Sequence, residues 1–273
     1  MLSSRKFFIL LLGVICAAVF FLSREPEEEH VMVRIEQDKT VTVIPVEEYL
    51  IGAMAAVVDP EYEIECQKAL AVLIRGNLER LRNGDEMVVI TDEPYFDFST
   101  RRSLYGSSQK EYEEKMEEAV LATTGLIAVS GNHILEGNYH AVSAGVTKEG
   151  PDSDRVFCDK SMEAEDFFYQ KEILKEEWGS ITIMVKDAGG YVDEVNLNGT
   201  VVSGEYFRER MGLPSSNLDI EETQEAYLVT TRGKGHGLGL DLYYANELAK
   251  QGYNYNQILD YFFKDFILKK IMV

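Results

Sequence analysis

The chain has 273 residues, 45% of them hydrophobic, with 47 acidic against 27 basic residues and a formal net charge of −20. That length allows a full core, either as one large domain or as a core with a smaller lobe. The charge excludes a sequence-independent grip on nucleic acid, which needs a basic face, and it confines membrane contact to a dedicated segment, because surplus carboxylates are repelled by anionic headgroups.

Arg5 and Lys6 precede an unbroken apolar run at residues 7–22, closed by Ser23, Arg24, Glu25 and Glu27 to Glu29. Basic residues before and acidic residues after orient such a segment with its start in the cytoplasm. The run is slightly short of the ~20 residues that span a bilayer and slightly long for a signal-peptide core. No small-residue cleavage site follows it, and Ile15 before Cys16 does not suit lipidation. The expectation is an uncleaved single-pass anchor (1–23), an acidic linker (24–30) and one domain (31–273). A removed signal peptide is the alternative. Either way the bulk of the chain is placed outside the cytoplasmic membrane.

Residues 31–44 alternate apolar and polar around Asp38-Lys39, which predicts a hairpin packed on one face through Val31, Val33, Ile35, Val41 and Val43. From Pro45 the period becomes helical, with Glu47 and Glu48 in the first turn and Tyr49, Leu50 and Met54 at helical spacing. A second helix is predicted over 64–81. Leu70, Leu73, Ile74, Leu78 and Leu81 form its buried stripe, Lys68, Arg75 and Glu79 lie off it, and Asn83-Gly84 stops it. Cys66 falls in this helix, where a reduced, half-buried thiol is expected rather than a bridge to Cys158.

A strand is predicted at 87–90 and an acidic amphipathic helix at 109–123, ended by Gly125. Segments 126–129 and 134–139 read as a hairpin around Ser130-Gly131-Asn132. Residues 150–154 look like a linker, and 162–178 like another acidic helix. Strands follow at 181–185 and 191–197, turning at 187–190. A helix runs from near Leu242 toward Gly252, and the C-terminus is helical from Tyr255. There is no internal repeat. Hairpins mixed with separate helices indicate an α+β fold rather than a parallel wound sheet.

Four segments carry a resemblance. They are Pro45-Val46-Glu47-Glu48-Tyr49-Leu50-Ile51-Gly52 with Ala55-Ala56; Lys68-Ala69 with Ala71-Val72 and Arg75; Tyr139-His140 with Ser143, Gly145 and Thr147; and Gly235-His236-Gly237-Leu238-Gly239-Leu240, continuing through Tyr244-Ala245 to Tyr253. Phe207-Arg208 and Met211-Gly212-Leu213 support them. Together they resemble the stage II sporulation protein D family, which includes the amidase-enhancer proteins, over about residues 40–266. A Gly-His-Gly tripeptide alone is common; the order and spacing carry the resemblance.

The resemblance implies peptidoglycan chemistry. The family's best-studied members are lytic transglycosylases, which cut between N-acetylmuramic acid and N-acetylglucosamine without water. One carboxylic acid serves first as acid and then as base. In the family that acid follows Ala-Ala; here Ala55-Ala56 is followed by Val57. The match from Gly52 to Arg75 needs no gap, so a valine, which has no proton to exchange, stands in the position itself. Losing a general acid removes ~10²–10⁴-fold of rate. Asp59 and Glu61 are the backup candidates, although Asp59 precedes Pro60 and is pushed away from helical geometry.

The same resemblance marks Lys68, Arg75, Tyr105, His140, Ser143 and His236 as cleft residues. All but Ser143 have a plainer reading. Arg75 would be a solvated helix residue paired with Glu79, Lys68 a surface charge and Tyr105 core packing. His140 would be a structural hydrogen-bonding residue, and His236 the pin of a tight turn whose glycines allow φ > 0. Some family members hold zinc near the third segment with Cys and His. Only His140 is present here, with no Cys at ligand spacing, so neither a metal nor another cofactor is expected. Two functions follow. The first is a membrane-anchored protein that binds peptidoglycan strands, or other wall and sporulation proteins, without cutting. The second is an active lytic transglycosylase with a relocated acid.

Overall fold

The computed structural model describes residues 31–37, 40–82, 87–91 and 93–272. The apolar run at 7–22, the Asp38-Lys39 turn and the Asn83-Gly84 stop lie outside them. No described helix is long and apolar enough to cross a membrane. The fold is α+β, with helices and several small sheets.

β1 (Met32–Gln37) and β2 (Thr40–Pro45) pair antiparallel and lead into α1 (Val46–Ala55) and α2 (Ile64–Leu81). β3 (Val88–Thr91) then returns parallel to β1. The register sets Val33 against Ile44 and Ile35 against Thr42, so the core face carries Val31, Val33 and Ile35. Val41 and Val43 stand opposite Glu36 and Arg34 on the other face, 52% and 47% exposed, which corrects the expectation that they pack inward. A strand's side chains alternate, so parity with the partner decides the face.

α3 (Phe98–Tyr105) has no counterpart among the elements expected from the sequence. It is capped by Asp97, whose carboxylate accepts the Thr100 N–H at 2.7 Å, and a 3₁₀ turn (Gly106–Ser108) joins it to α4 (Gln109–Ala122). The hairpin expected at 126–139 is divided. β4 (Leu126–Ser130) pairs with the short β5 (His133–Ile134), whereas β6 (Tyr139–His140) leaves for a distant partner.

The next elements form a second lobe: β7 (Phe168–Leu174), α5 (Lys175–Trp178), β8 (Ile181–Lys186), β9 (Val192–Leu197), β10 (Thr200–Ser203), α6 (Gly204–Arg210), β11 (Leu218–Glu222) and β12 (Ala226–Arg232). Two antiparallel sheets, ordered β10-β9-β8 and β11-β12-β7, close around Ile173, Val195, Phe207, Leu218 and Val229. The acidic helix expected at 162–178 is not formed. A 3₁₀ turn (Asp159–Glu163), β7 and a single turn of helix replace it. Seven-residue pairing with β12 and burial of Ile173 outweigh the helical propensity of its glutamates.

β13 (Leu240–Asp241), the parallel partner of β6, opens α7 (Leu242–Lys250), followed by α8 (Tyr255–Phe262) and β14 (Phe266–Lys270). β14 completes the sheet with β4, so the C-terminus is helical only to Phe262. Residues 150–154 are not a linker: Asp152 and Ser153 are buried, and Ser153 bridges to Phe263. α2 is the axle of the first lobe, packed by α1, α4, α7, α8 and β4. Residues 69–76 are buried without a break, so Arg75 lies inside and Leu81, 57% exposed, lies outside the expected stripe. The Cys66 and Cys158 thiols are free and fully buried, not half-buried.

Candidate functional site

α1 closes in a tight turn where the Val57 and Val58 N–H groups both donate to the Met54 carbonyl, at 3.0 and 2.9 Å. Val57 is half-buried and packs on the main core. The two backup carboxylates are exposed and already engaged. Asp59 Oδ1 accepts the Glu61 N–H at 2.9 Å, and Glu61 Oε1 accepts the Tyr112 hydroxyl at 3.1 Å. Lys115 Nζ donates to the Pro60 carbonyl at 2.8 Å, and Asn246 Oδ1 accepts the Glu63 N–H at 2.7 Å. Residues 57–63 are thus wedged between α4 and α7. Tyr105 flanks the turn, half-buried, its ring edge-on to Tyr112 with centroids 5.3 Å apart. The Tyr105 hydroxyl lies 3.5 Å from the Ala55 carbonyl, so a pair of tyrosines stands beside the end of α1.

Arg75 and Lys68 do not join this group. Arg75 forms a two-pronged ion pair with Glu47 (2.9 and 2.7 Å) and donates to the Leu126 carbonyl at 3.0 Å, leaving its side chain 1% exposed. Neither a cleft-facing role nor the solvated pair with Glu79 describes it. Lys68 pairs with Glu65 at 2.6 Å, and the other oxygen of Glu65 accepts the Tyr255 N–H at the start of α8.

Ser143 and His140 gather around Asp241, which is fully buried, and His236 stands beside His140. Its Oδ2 accepts the Ser143 N–H at 3.0 Å and the Ser161 hydroxyl at 2.5 Å, while Oδ1 accepts the Tyr244 N–H and caps α7. His140 is buried, with Nδ1 donating to the Leu238 carbonyl at 3.0 Å and Nε2 without a partner among the described residues. Its ring centroid lies 5.8 Å from that of His236, whose Nδ1 accepts the Leu238 N–H. Burial, and then the neighbouring His140, lowers the His236 pKa to about 4. Burial also lowers that of His140, against the opposing pull of Asp241, so both rings are neutral near pH 7. Gly237 (φ 81°) lets the loop pass Tyr191: a Cβ there would stand 2.4 Å from the phenol ring. The Tyr191 hydroxyl in turn accepts the Ala144 N–H at 2.9 Å and donates to the Val146 carbonyl at 3.0 Å.

The Tyr62 phenol, part of the 57–63 turn, has its pKa raised first by burial and then by Cys66, Asp59 and Asp241. In the sequence Asp241 merely follows the Gly235-to-Leu240 segment, and nothing marks Ser161, Cys158, Tyr112 or Tyr191 as site neighbours. These residues have no shared spacing; only the tertiary fold brings them together. Burial and then Asp241 push the Cys66 and Cys158 thiols up, and no cluster of three or more metal-binding side chains forms among the described residues.

A sequence profile of the stage II sporulation protein family matches residues 35–129. The chain is 27% identical to stage II sporulation protein D of Bacillus subtilis (strain 168) over 258 residues, covering 83% of this chain and 75% of that protein. It is 25% identical to the protein of the same name from Bacillus amyloliquefaciens over 260 residues, covering 82% and 74%. An uncharacterized protein of Brachyspira hyodysenteriae matches at 21% identity over 252 residues, covering 82% and 66%.

Proposed function

The chain belongs to the stage II sporulation protein D family, a sporulation-related group, and from that premise we propose that it binds peptidoglycan glycan strands from an anchored position outside the membrane without cutting them. The observation that carries this reading is Val57, an aliphatic side chain packed on the core where the family resemblance places the proton donor. A general acid in this chemistry has to sit in a water-poor cleft that raises its pKa and within hydrogen-bond reach of the glycosidic oxygen. Asp59 and Glu61 are exposed, and each already accepts a hydrogen bond in its own surroundings, which weighs against relocation. What remains is suited to holding a glycan: the Tyr105–Tyr112 pair, and two neutral imidazoles, His140 on β6 and His236 on the glycine loop, near the Ser143 backbone that Asp241 holds. In this role the protein is a scaffold or regulator of wall remodelling during sporulation.

The test uses the full-length protein in detergent micelles with purified peptidoglycan. Strands should co-sediment with the protein, and mass spectrometry should find no anhydro-muropeptides. Val57→Glu should produce such ends at a low rate. Anhydro products from the natural sequence would end the non-cutting account.

A further inference from the structure

No described residue covers the outer face of the β2-β1-β3 sheet. The register aligns Val43, Arg34 and Ile90 in one row and Pro45, Met32 and Val88 in the next, with Val41 following Val43 along β2. Ile90 is 65% exposed, Val41 52%, Val43 47% and Val88 43%, whereas the inward partners Val33 and Val89 are buried. Aliphatic side chains in adjacent rows of one sheet form a continuous patch rather than scattered exposure.

Size argues against a protein partner. Three strands ~4.8 Å apart and rows ~7 Å apart give a patch on the order of 200–300 Å². A stable interface needs about 800 Å² per partner, so the patch is too small to hold a second copy or a soluble protein by itself. A surface that is always nearby has no such minimum, because tethering supplies a high local concentration. Only residues 23–31 separate the apolar run from the start of this sheet. Fully extended, they reach no more than about 32 Å.

We propose that this face rests on the lipid surface, its aliphatic side chains entering the interfacial zone. The inference rests on the anchoring part of the reading above. The acidic residues Glu25 and Glu27 to Glu29 gain nothing from anionic lipid, so the contact is driven by apolar side chains and should not strengthen with anionic content. Resting on this face would fix the orientation of the domain and set the height of its site above the bilayer.

The test places an environment-sensitive fluorophore at Val43→Cys or Ile90→Cys in full-length protein carrying Cys16→Ser; the other two cysteines are buried. Val201→Cys, on the exposed β10 of the second lobe, is the control. The protein is inserted in nanodiscs of phosphatidylcholine, with or without phosphatidylglycerol, containing doxyl-labelled lipid. The expected result is quenching at least roughly threefold stronger at 43 and 90 than at 201, alike in both lipids, and abolished at 43 by Ile90→Asp while nanodisc insertion persists. Equal quenching at all three positions in inserted protein overturns the proposal and leaves anchoring intact. A blue shift that grows with protein concentration without lipid quenching overturns it in favour of a second copy. Failure of the natural sequence to insert removes the anchoring premise and the proposal with it.

Discussion

Arg75 and Glu47 share two short contacts, 2.9 and 2.7 Å, with the guanidinium 1% exposed and the carboxylate 24%. Taking away one member of a buried pair strands the other, which costs about 3–5 kcal/mol. Arg75→Ala should therefore lower stability by that order in urea denaturation. Glu47→Gln should cost a similar amount, because it leaves the fully buried Arg75 guanidinium facing a neutral amide instead of a carboxylate. At this scale the sequence is a poor guide. Arg75 sits off the apolar stripe of its helix, and no pattern along the chain states that a glutamate 28 residues earlier reaches it. His236 gives a prediction with a pH sign. Its folded pKa of about 4 lies below its ordinary value of 6.5, so the unfolded chain binds the proton more readily between these limits. Stability is then fully present above pH 6.5 and declines as pH falls toward 4. His236→Asn should flatten the slope of melting temperature between pH 6.5 and 4.5; an unchanged slope would show that other groups dominate it.

Among the elements, α1 is held by a crossing strap. The Phe96 N–H donates to the Gly52 carbonyl at 3.0 Å, and Tyr95 stacks on Tyr49 with centroids 5.4 Å apart and planes 8° from parallel. A Cβ on Gly52 would stand 2.1 Å from the Tyr95 ring and 2.6 Å from the Phe96 carbonyl. Gly52→Ala should cost about 1–3 kcal/mol through overpacking, detectable as a lower urea midpoint and a weaker near-ultraviolet tyrosine signal. The motif that contains this glycine is legible along the chain, but its packing partner, Tyr95, is not. Elements with a strong internal period, α1, α2, α4 and the β8–β9 hairpin, are readable from the chain alone. Those decided by distant pairing are not. β7 looks helical until β12 lies beside it, and Tyr139–His140 looks like a hairpin arm until Leu240–Asp241 arrives. For the site, the glycine loop and the two histidines are visible as motifs, while the hub that organises them, Asp241 with Ser161 and Tyr191, exists only in three dimensions.

The whole molecule has two main hydrophobic centres, one around α2 and one between the two sheets of the second lobe. Trp178, the chain's single tryptophan, packs against the second. Its fluorescence therefore reports on that lobe, whereas helical circular dichroism is dominated by α1, α2 and α4 of the first. Phe207→Ala, truncating a fully buried ring, should destabilise by about 3–5 kcal/mol and move the fluorescence transition to lower temperature more than the helical one. Coincident shifts of both signals would mean that the molecule melts as one unit. Tyr191 has a consequence for length variation in this lineage. Its hydroxyl is the keystone of an arch: the backbone at Ala144 and Val146 hangs from a ring that stands at the base of β9. Residues can be added at the Asn198-Gly199 tip, which faces water, without loosening that arch. One residue gained or lost between Asp187 and Tyr191 would withdraw the ring, and the loop bearing Ser143 would sag though none of its own letters had changed.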